Sequence, residues 1–424
     1  MSGSKISGCN EAIALSRRGL LGGAASLSLW GFLPKSAFAG TREPRLLTVI
    51  LRGGLDGLAL ASPAGDPDLV RLRGRSAVTA AGEGAGLPLD GFFVLNPAMP
   101  FLHGLYQRRE ALVVHAVATP YRERSHFDGQ DVLESGLAGV GRADDGWLNR
   151  ALSKLETSGK ANPRALTNAQ KGLAMGAVVP LVMRGSAPVM SWIPQTFGTP
   201  LRESTIARLM DLYAQTDPAL AKAFADGIAL DKVALTDAAM AAPQHGAVPP
   251  QGAMKEFVET AEAAARFLGS VDGPRIGVLS YNGWDTHANE GVLKGQLANR
   301  LAGLDAAIKA FADKIGPAWK DTVVVVVTEF GRTARINGTD GTDHGTATCA
   351  LLVGGAVKGG RVIADWPGLA ESALHQNRDL KPTRDLRAVL KGVLRDHLSM
   401  SDRVLGETVF PASGGVATLD GLVG

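Results

Sequence analysis

Five short apolar runs, at residues 46–51, 111–117, 276–279, 322–327 and 350–353, stop abruptly at polar or glycine-rich segments. Runs this short that end this sharply read as parallel strands buried on both faces. The run at 322–327 carries five consecutive valines, whose branched side chains are stiff at χ1 and fit a pleated strand covered on both sides. Just before it, Leu293, Leu297, Leu301, Leu304, Ile308, Phe311 and Ile315 recur at spacings of three and four. This is an amphipathic helix that stops at Gly316-Pro317. Strand, helix, strand in that order is a right-handed crossover, which imposes parallel pairing and puts helices on both sheet faces. The pattern predicts an α/β fold with a doubly wound, mostly parallel sheet.

From about residue 147 to 240 the pattern turns more helical, with Ile206, Leu209, Met210 and Tyr213 on one face and Leu220, Phe224 and Ile228 on another. A connector rich in Pro, Gly and Ala follows over 241–254. Residues 40–424 therefore read as one domain with a more helical insertion around 147–254. Residues 1–39 stand apart. The run Ser16-Arg17-Arg18-Gly19-Leu20-Leu21, an apolar stretch over 20–33 and then Ala37-Phe38-Ala39 have the layout of an export signal. Paired arginines before a modest apolar segment resemble the bacterial twin-arginine signal. The apolar stretch is shorter than the ~20 residues a spanning helix needs. The expectation is a periplasmic or secreted protein handled by the twin-arginine translocation machinery, with no stable membrane span once the signal is removed.

Composition narrows the function. Apolar residues make up 45% and charged residues 20%, with 44 basic against 41 acidic side chains, which excludes disorder and a nucleic-acid-coating role. The 53 glycines follow no three-residue period, so they mark turns and not a collagen helix. Beyond the signal only Cys349 remains, so no intrachain disulfide forms and stability rests on packing, with a metal ion as a further aid.

In an open parallel sheet the ligand site lies beyond the carboxyl ends of the strands. The residues found there are Asp56 after the first run, Arg122, Arg124, Ser125 and His126 after the second, Asp285 and His287 after the third, and Glu329 after the valines, followed by Asp343 and His344. Asp56, Asp285, His287, Glu329, Asp343 and His344 form an oxygen and nitrogen set suited to a divalent ion, with Zn, Mn, Mg and Ca all open. Crowded carboxylates repel one another unless a cation joins them. Each residue also has a plainer reading: Asp56 and Ser125 as helix caps, Asp285 as a cap, His287 on the surface, Glu329 paired with Arg332, and Asp343-His344 in a solvated loop.

Together, Gly-Gly-Leu-Asp-Gly, Ser-His-Phe-Asp-Gly-Gln, Gly-Trp-Asp-Thr-His, Thr-Glu-Phe-Gly-Arg-Thr and Gly-Thr-Asp-His-Gly resemble the exported bacterial family of domain of unknown function 1501. That family is similar to the alkaline phosphatase and sulfatase superfamily. The resemblance implies a metal-dependent hydrolase of phosphate or sulfate esters acting on an anionic ester or glycan. Asp56, Asp285, His287, Glu329 and His344 would be ligands, with Asp343 in or beside the set. Ser125 would be the nucleophile, and Arg122, Arg124 and His126 would meet the anion. No Cys-x-Pro-x-Arg motif occurs, Asp285 and His287 are separated by one residue where the superfamily more often has three, and Glu329 is followed by Phe330 and not by a histidine. These departures motivate the alternative, a non-catalytic periplasmic binding or assembly protein on the same fold.

Overall fold

The structure is a computed structural model that describes residues 43–155, 172–176, 178–193, parts of 205–225, 253–271 and 273–424. The export segment, the connector up to residue 252 and Leu220, Phe224 and Ile228 lie outside the described residues. Ile206, Leu209, Met210 and Tyr213 are helical.

Twelve strands are described. They are β1 (Arg45–Arg52), β2 (Ala61–Ser62), β3 (Leu87–Pro88), β4 (Val94–Leu95), β5 (Ala111–Ala118), β6 (Gly172–Met175), β7 (Val189–Trp192), β8 (Ile276–Asn282), β9 (Thr322–Val327), β10 (Thr348–Val353), β11 (Arg361–Ile363) and β12 (Arg384–Asp385). Nine of them form one sheet in the order β11-β5-β10-β9-β1-β8-β6-β7, with β12 beside β5, while β2, β4 and β3 form a small antiparallel sheet. All five apolar runs are strands of the large sheet. The helices that matter here are α1 (Gly57–Leu60), α2 (Pro100–Gln107), α3 (His126–Ser135), α4 (Trp147–Leu155), α5 (Ala253–Gly269), α6 (Gln296–Ile315) and α7 (Leu386–Leu398).

The central strand β1 shows why both faces are apolar. Leu47, Val49 and Leu51 pack with Leu102 of α2, Phe257 of α5 and Leu301 of α6, whereas Leu46 and Ile50 pack with Leu148 of α4 and Val389 of α7. The valines of β9 divide in the same way, Val324 and Val326 to one side and Val323, Val325 and Val327 to the other. The α6 crossover joins β8 to β9, which flank β1 and both run parallel to it.

Two expectations are corrected. The run at 350–353 is not parallel: β10 runs antiparallel to both β9 and β5. The chain leaves β9 at the carboxyl rim, folds residues 328–347 there and enters β10 from the same rim, so the strand has to run back. The segment around 147–254 also extends the sheet, since β6 and β7 continue it in parallel beyond β8.

Candidate functional site

Four strand connections meet at the carboxyl rim. α3 starts at His126 after β5, Asp285 and His287 follow β8, Glu329 and Arg332 follow β9, and Asp343 and His344 precede β10. Gly53, at the end of β1, takes φ 122° and lies so near the next loop that a Cβ would stand 2.6 Å from the Asp285 nitrogen. Gly283 takes φ 92°, and the Thr286 amide donates back to the Trp284 carbonyl at 3.1 Å, so the chain turns at Asp285.

The histidines are fixed through their Nδ1 atoms. His126 Nδ1 is 2.9 Å from Glu329 Oε1, His287 Nδ1 is 3.1 Å from Asp343 Oδ1, and His344 Nδ1 is 2.9 Å from the Arg124 carbonyl. Carboxylates and carbonyls only accept, so each Nδ1 donates and each neutral ring turns an Nε2 lone pair the other way. These lone pairs meet around Asp285. His287 and His344 Nε2 are 3.0 and 3.1 Å from its Oδ1 and 2.9 Å from each other, and His126 Nε2 is 3.4 Å from its Oδ2. The His126 Nε2 atom is buried and has no hydrogen-bond partner. His126, Asp285 and His344 offer donor atoms within 4.8 Å of one another.

Charge explains the rest of the design. Burial pushes the Asp285 carboxyl up, but the Arg332 guanidinium, 2.6 Å away, together with His287 and His126 holds it below its ordinary value. Glu329 is fully buried. Burial again raises its pKa, and the hydrogen bonds from His126, its own backbone, Gly53 and Thr328 outweigh that and lower it. The bond to Glu329 raises His126, while burial lowers His344. Three converging imidazole lone pairs and a carboxylate call for a cation. A nitrogen-rich set of this kind, with each imidazole anchored through its other nitrogen, suits zinc or a similar divalent ion. The residues fit such an ion: His126, His344 and Asp285 would hold it, with His287 beside them against Asp285 and His344.

The remaining expected residues are placed differently. Asp56 caps α1, accepting from Leu58 and Ala59 nitrogens at 3.1 and 3.3 Å, and both its oxygens bond Arg73. Glu329 uses its oxygens on Gly53, His126, Gln130 and Thr328, which makes it the support of His126. Asp343 supports His287 in the same way. Arg122 is tied to the carbonyls of Thr119 and Tyr121, and Arg124 to Asp379 and Gln376. Ser125 is the N-cap residue of α3, yet its side chain makes no capping bond. Arg332, the sequence's possible partner of Glu329, bonds Asp285 instead, and two residues that the sequence did not single out complete the site: Gln130, which donates to Glu329 at 3.2 Å, and Glu290. Burial and the Asp56 charge push Glu290 up to about 7. Only the folded chain brings these three to the rim.

Glu329→Gln keeps the shape but removes the charge that accepts the His126 proton. It is expected to weaken ion binding about 10–100-fold, the usual cost of a lost supporting carboxylate. Competition against a chromogenic chelator measures this, and unchanged affinity would remove Glu329 from the design.

Fold and site define the class: an α/β protein with a histidine and carboxylate centre at the carboxyl rim of its sheet. The chain belongs to the family described as protein of unknown function (DUF1501), whose model matches residues 110–409. No curated protein matches it. Among solved structures it is similar to Ps i-CgsB in complex with k-i-k-neocarrahexaose, at 10% identity and a TM-score of 0.36 over 76% of this chain and 68% of that one. It is also similar to a phosphonate monoester hydrolase of Agrobacterium radiobacter, at 13% identity and TM-score 0.33 over 88% and 77%. A protein in the alkaline phosphatase superfamily from Vibrio parahaemolyticus matches at 14% identity and TM-score 0.29 over 74% and 60%. At likeness this distant, the chemistry has to be read from the side chains themselves.

Proposed function

We propose that the protein is an exported, metal-dependent hydrolase of phosphate or sulfate esters. The observation that carries this reading is the meeting of three outward-turned Nε2 lone pairs with Asp285, beside a buried arginine. A bound divalent ion supplies Lewis acidity toward an ester oxygen and lowers the pKa of a hydroxyl beside it. Arg332, fully buried and braced by Thr342, keeps Asp285 ionised and in place. Ser125, whose hydroxyl caps nothing, is the proposed nucleophile: its oxygen gives up its proton to water and bonds the phosphorus or sulfur as the ester oxygen leaves on the far side and is protonated by water. A second water then cleaves the serine ester to release phosphate or sulfate. Export rests on the arginine pair and apolar stretch of residues 1–39. No helix among the described residues is long and apolar enough to cross a membrane.

One observation favours a second reading. Arg122 and Arg124 bond the protein itself, which suits a binding protein that holds an ion without turnover. The two are separated by elemental analysis of protein purified without added metal, followed by assays on aryl phosphates and sulfates. The hydrolase reading expects about one or two ions per chain, as in hydrolytic metal sites, and turnover that Ser125→Ala abolishes. A metal-free protein, or a Ser125→Ala variant as active as the wild type, would overturn it.

A further inference from the structure

A cavity of about 920 Å³ opens at the same rim, over the carboxyl ends of β1, β6 and β8, and the histidines do not line it. Its wall is α3. Gln130 belongs to both places: it lines the cavity, accepts from Arg52 and donates to the Glu329 oxygen that holds His126. A ligand seated in the cavity is thus two hydrogen bonds from the metal-binding face of His126.

The lining selects the ligand. Arg52 is paired with Glu134, so those charges cancel. Of the other charged groups in the lining, Asp131 and Glu256 outnumber Arg184, a surplus of carboxylate that disfavours a second anionic group. Phe127, next to His126, is 86% exposed, an apolar ring standing in water at this wall. A ring bordered by carboxylates and the amides of Gln130 and Asn282 offers a flat apolar face with acceptors and donors around it. The apolar side chains of Met175, Val178, Leu181, Ile193 and Phe257 also line the cavity, but an acyl chain laid on them would meet the charged groups of Asp131, Arg184 and Glu256, and a nucleotide would bring phosphates against the carboxylates. A pyranose has C–H faces to stack and hydroxyls that both donate and accept.

We infer that this cavity seats a neutral sugar unit, stacked on Phe127, whose anionic ester extends to the histidine cluster. The ester half of this inference rests on the hydrolase reading; the sugar seat does not. The test is calorimetric titration of the metal-loaded full chain with neutral hexasaccharides, namely cello-, malto-, laminari-, xylo-, manno- and chitohexaose, and with adenosine. At least one hexasaccharide is expected to bind. Phe127→Leu, which keeps apolar bulk without a ring, should weaken it about tenfold, the scale of one aromatic contact, and Phe127→Trp should retain it. Absence of binding to all six, equal binding by the leucine variant, or preference for adenosine would each overturn the inference. Sugar binding without ester turnover would sink only the hydrolase reading.

Discussion

If the histidine cluster holds a divalent ion as proposed, His344→Ala is expected to release it. A tetrahedral zinc site of four protein ligands is worth about 10–16 kcal/mol in apparent binding, so each ligand carries about 2.5–4 kcal/mol, or about 10²–10³-fold in affinity. His344 holds a central place among the four candidates. Its Nε2 lies within 3.1 Å of both Asp285 Oδ1 and His287 Nε2, and its Nδ1 is anchored on the Arg124 carbonyl. Alanine there also leaves that carbonyl without its donor. Protein purified without added metal should therefore come out empty by elemental analysis, turnover of aryl esters should vanish with the ion, and a chelator should bring the wild type to the same state. A His344→Ala protein that keeps a full complement of tightly held metal would show that the histidines converge for another reason.

Arg73→Met is expected to cost about 3–5 kcal/mol, the range for removing one partner of a buried ion pair. Out of a total stability of about 5–15 kcal/mol that is close to unfolding. The Arg73 side chain is almost wholly enclosed, and it donates to both Asp56 oxygens and to the carbonyls of Thr333 and Ala334, which ties the start of α1 to the loop after β9. Removing it strands the Asp56 carboxylate in the interior. Asp56→Asn combined with Arg73→Met should recover much of the loss, because no uncompensated charge remains. Denaturant midpoints of metal-free protein measure both effects. Asp56→Asn also tests the role of Asp56 itself: as a frame residue it costs stability and leaves ion content unchanged, whereas loss of the ion would return it to the ligand set.

The sheet was legible because its central strands are buried on both faces, and such strands must be apolar throughout. The valines at 322–327 could hardly have been anything else. β6 and β7 span four residues each, too few for a run to stand out from helical neighbours. Strand direction was less accessible, since nothing in 350–353 says which way the chain enters; that depends on where residues 328–347 fold. In the site, Asp285, His287 and His344 were picked out as donors because carboxylates and imidazoles after strand ends are conspicuous. Which acid supports a histidine and which faces the open Nε2 atoms could not be read, because both are carboxylates near strand ends and what sets them apart is their surroundings: amide and imidazole donors for Glu329, a guanidinium and open Nε2 atoms for Asp285. Arg122 and Arg124 were assigned to an anion because a charge shows in the sequence while its partner, such as Asp379, 255 residues from Arg124, does not.

The position of β1 has a consequence for synthesis. Its two neighbours, β8 and β9, lie more than 220 residues further along the chain, so β1, the first strand among the described residues, waits for partners that the ribosome has yet to deliver. At about 5–20 residues per second that interval is roughly 11–45 s, during which an apolar ribbon with both edges unpaired is open to other nascent chains. Slowing translation between residues 52 and 276, or depriving the cell of holding chaperones, should therefore raise the insoluble fraction more than the same treatment applied after residue 327.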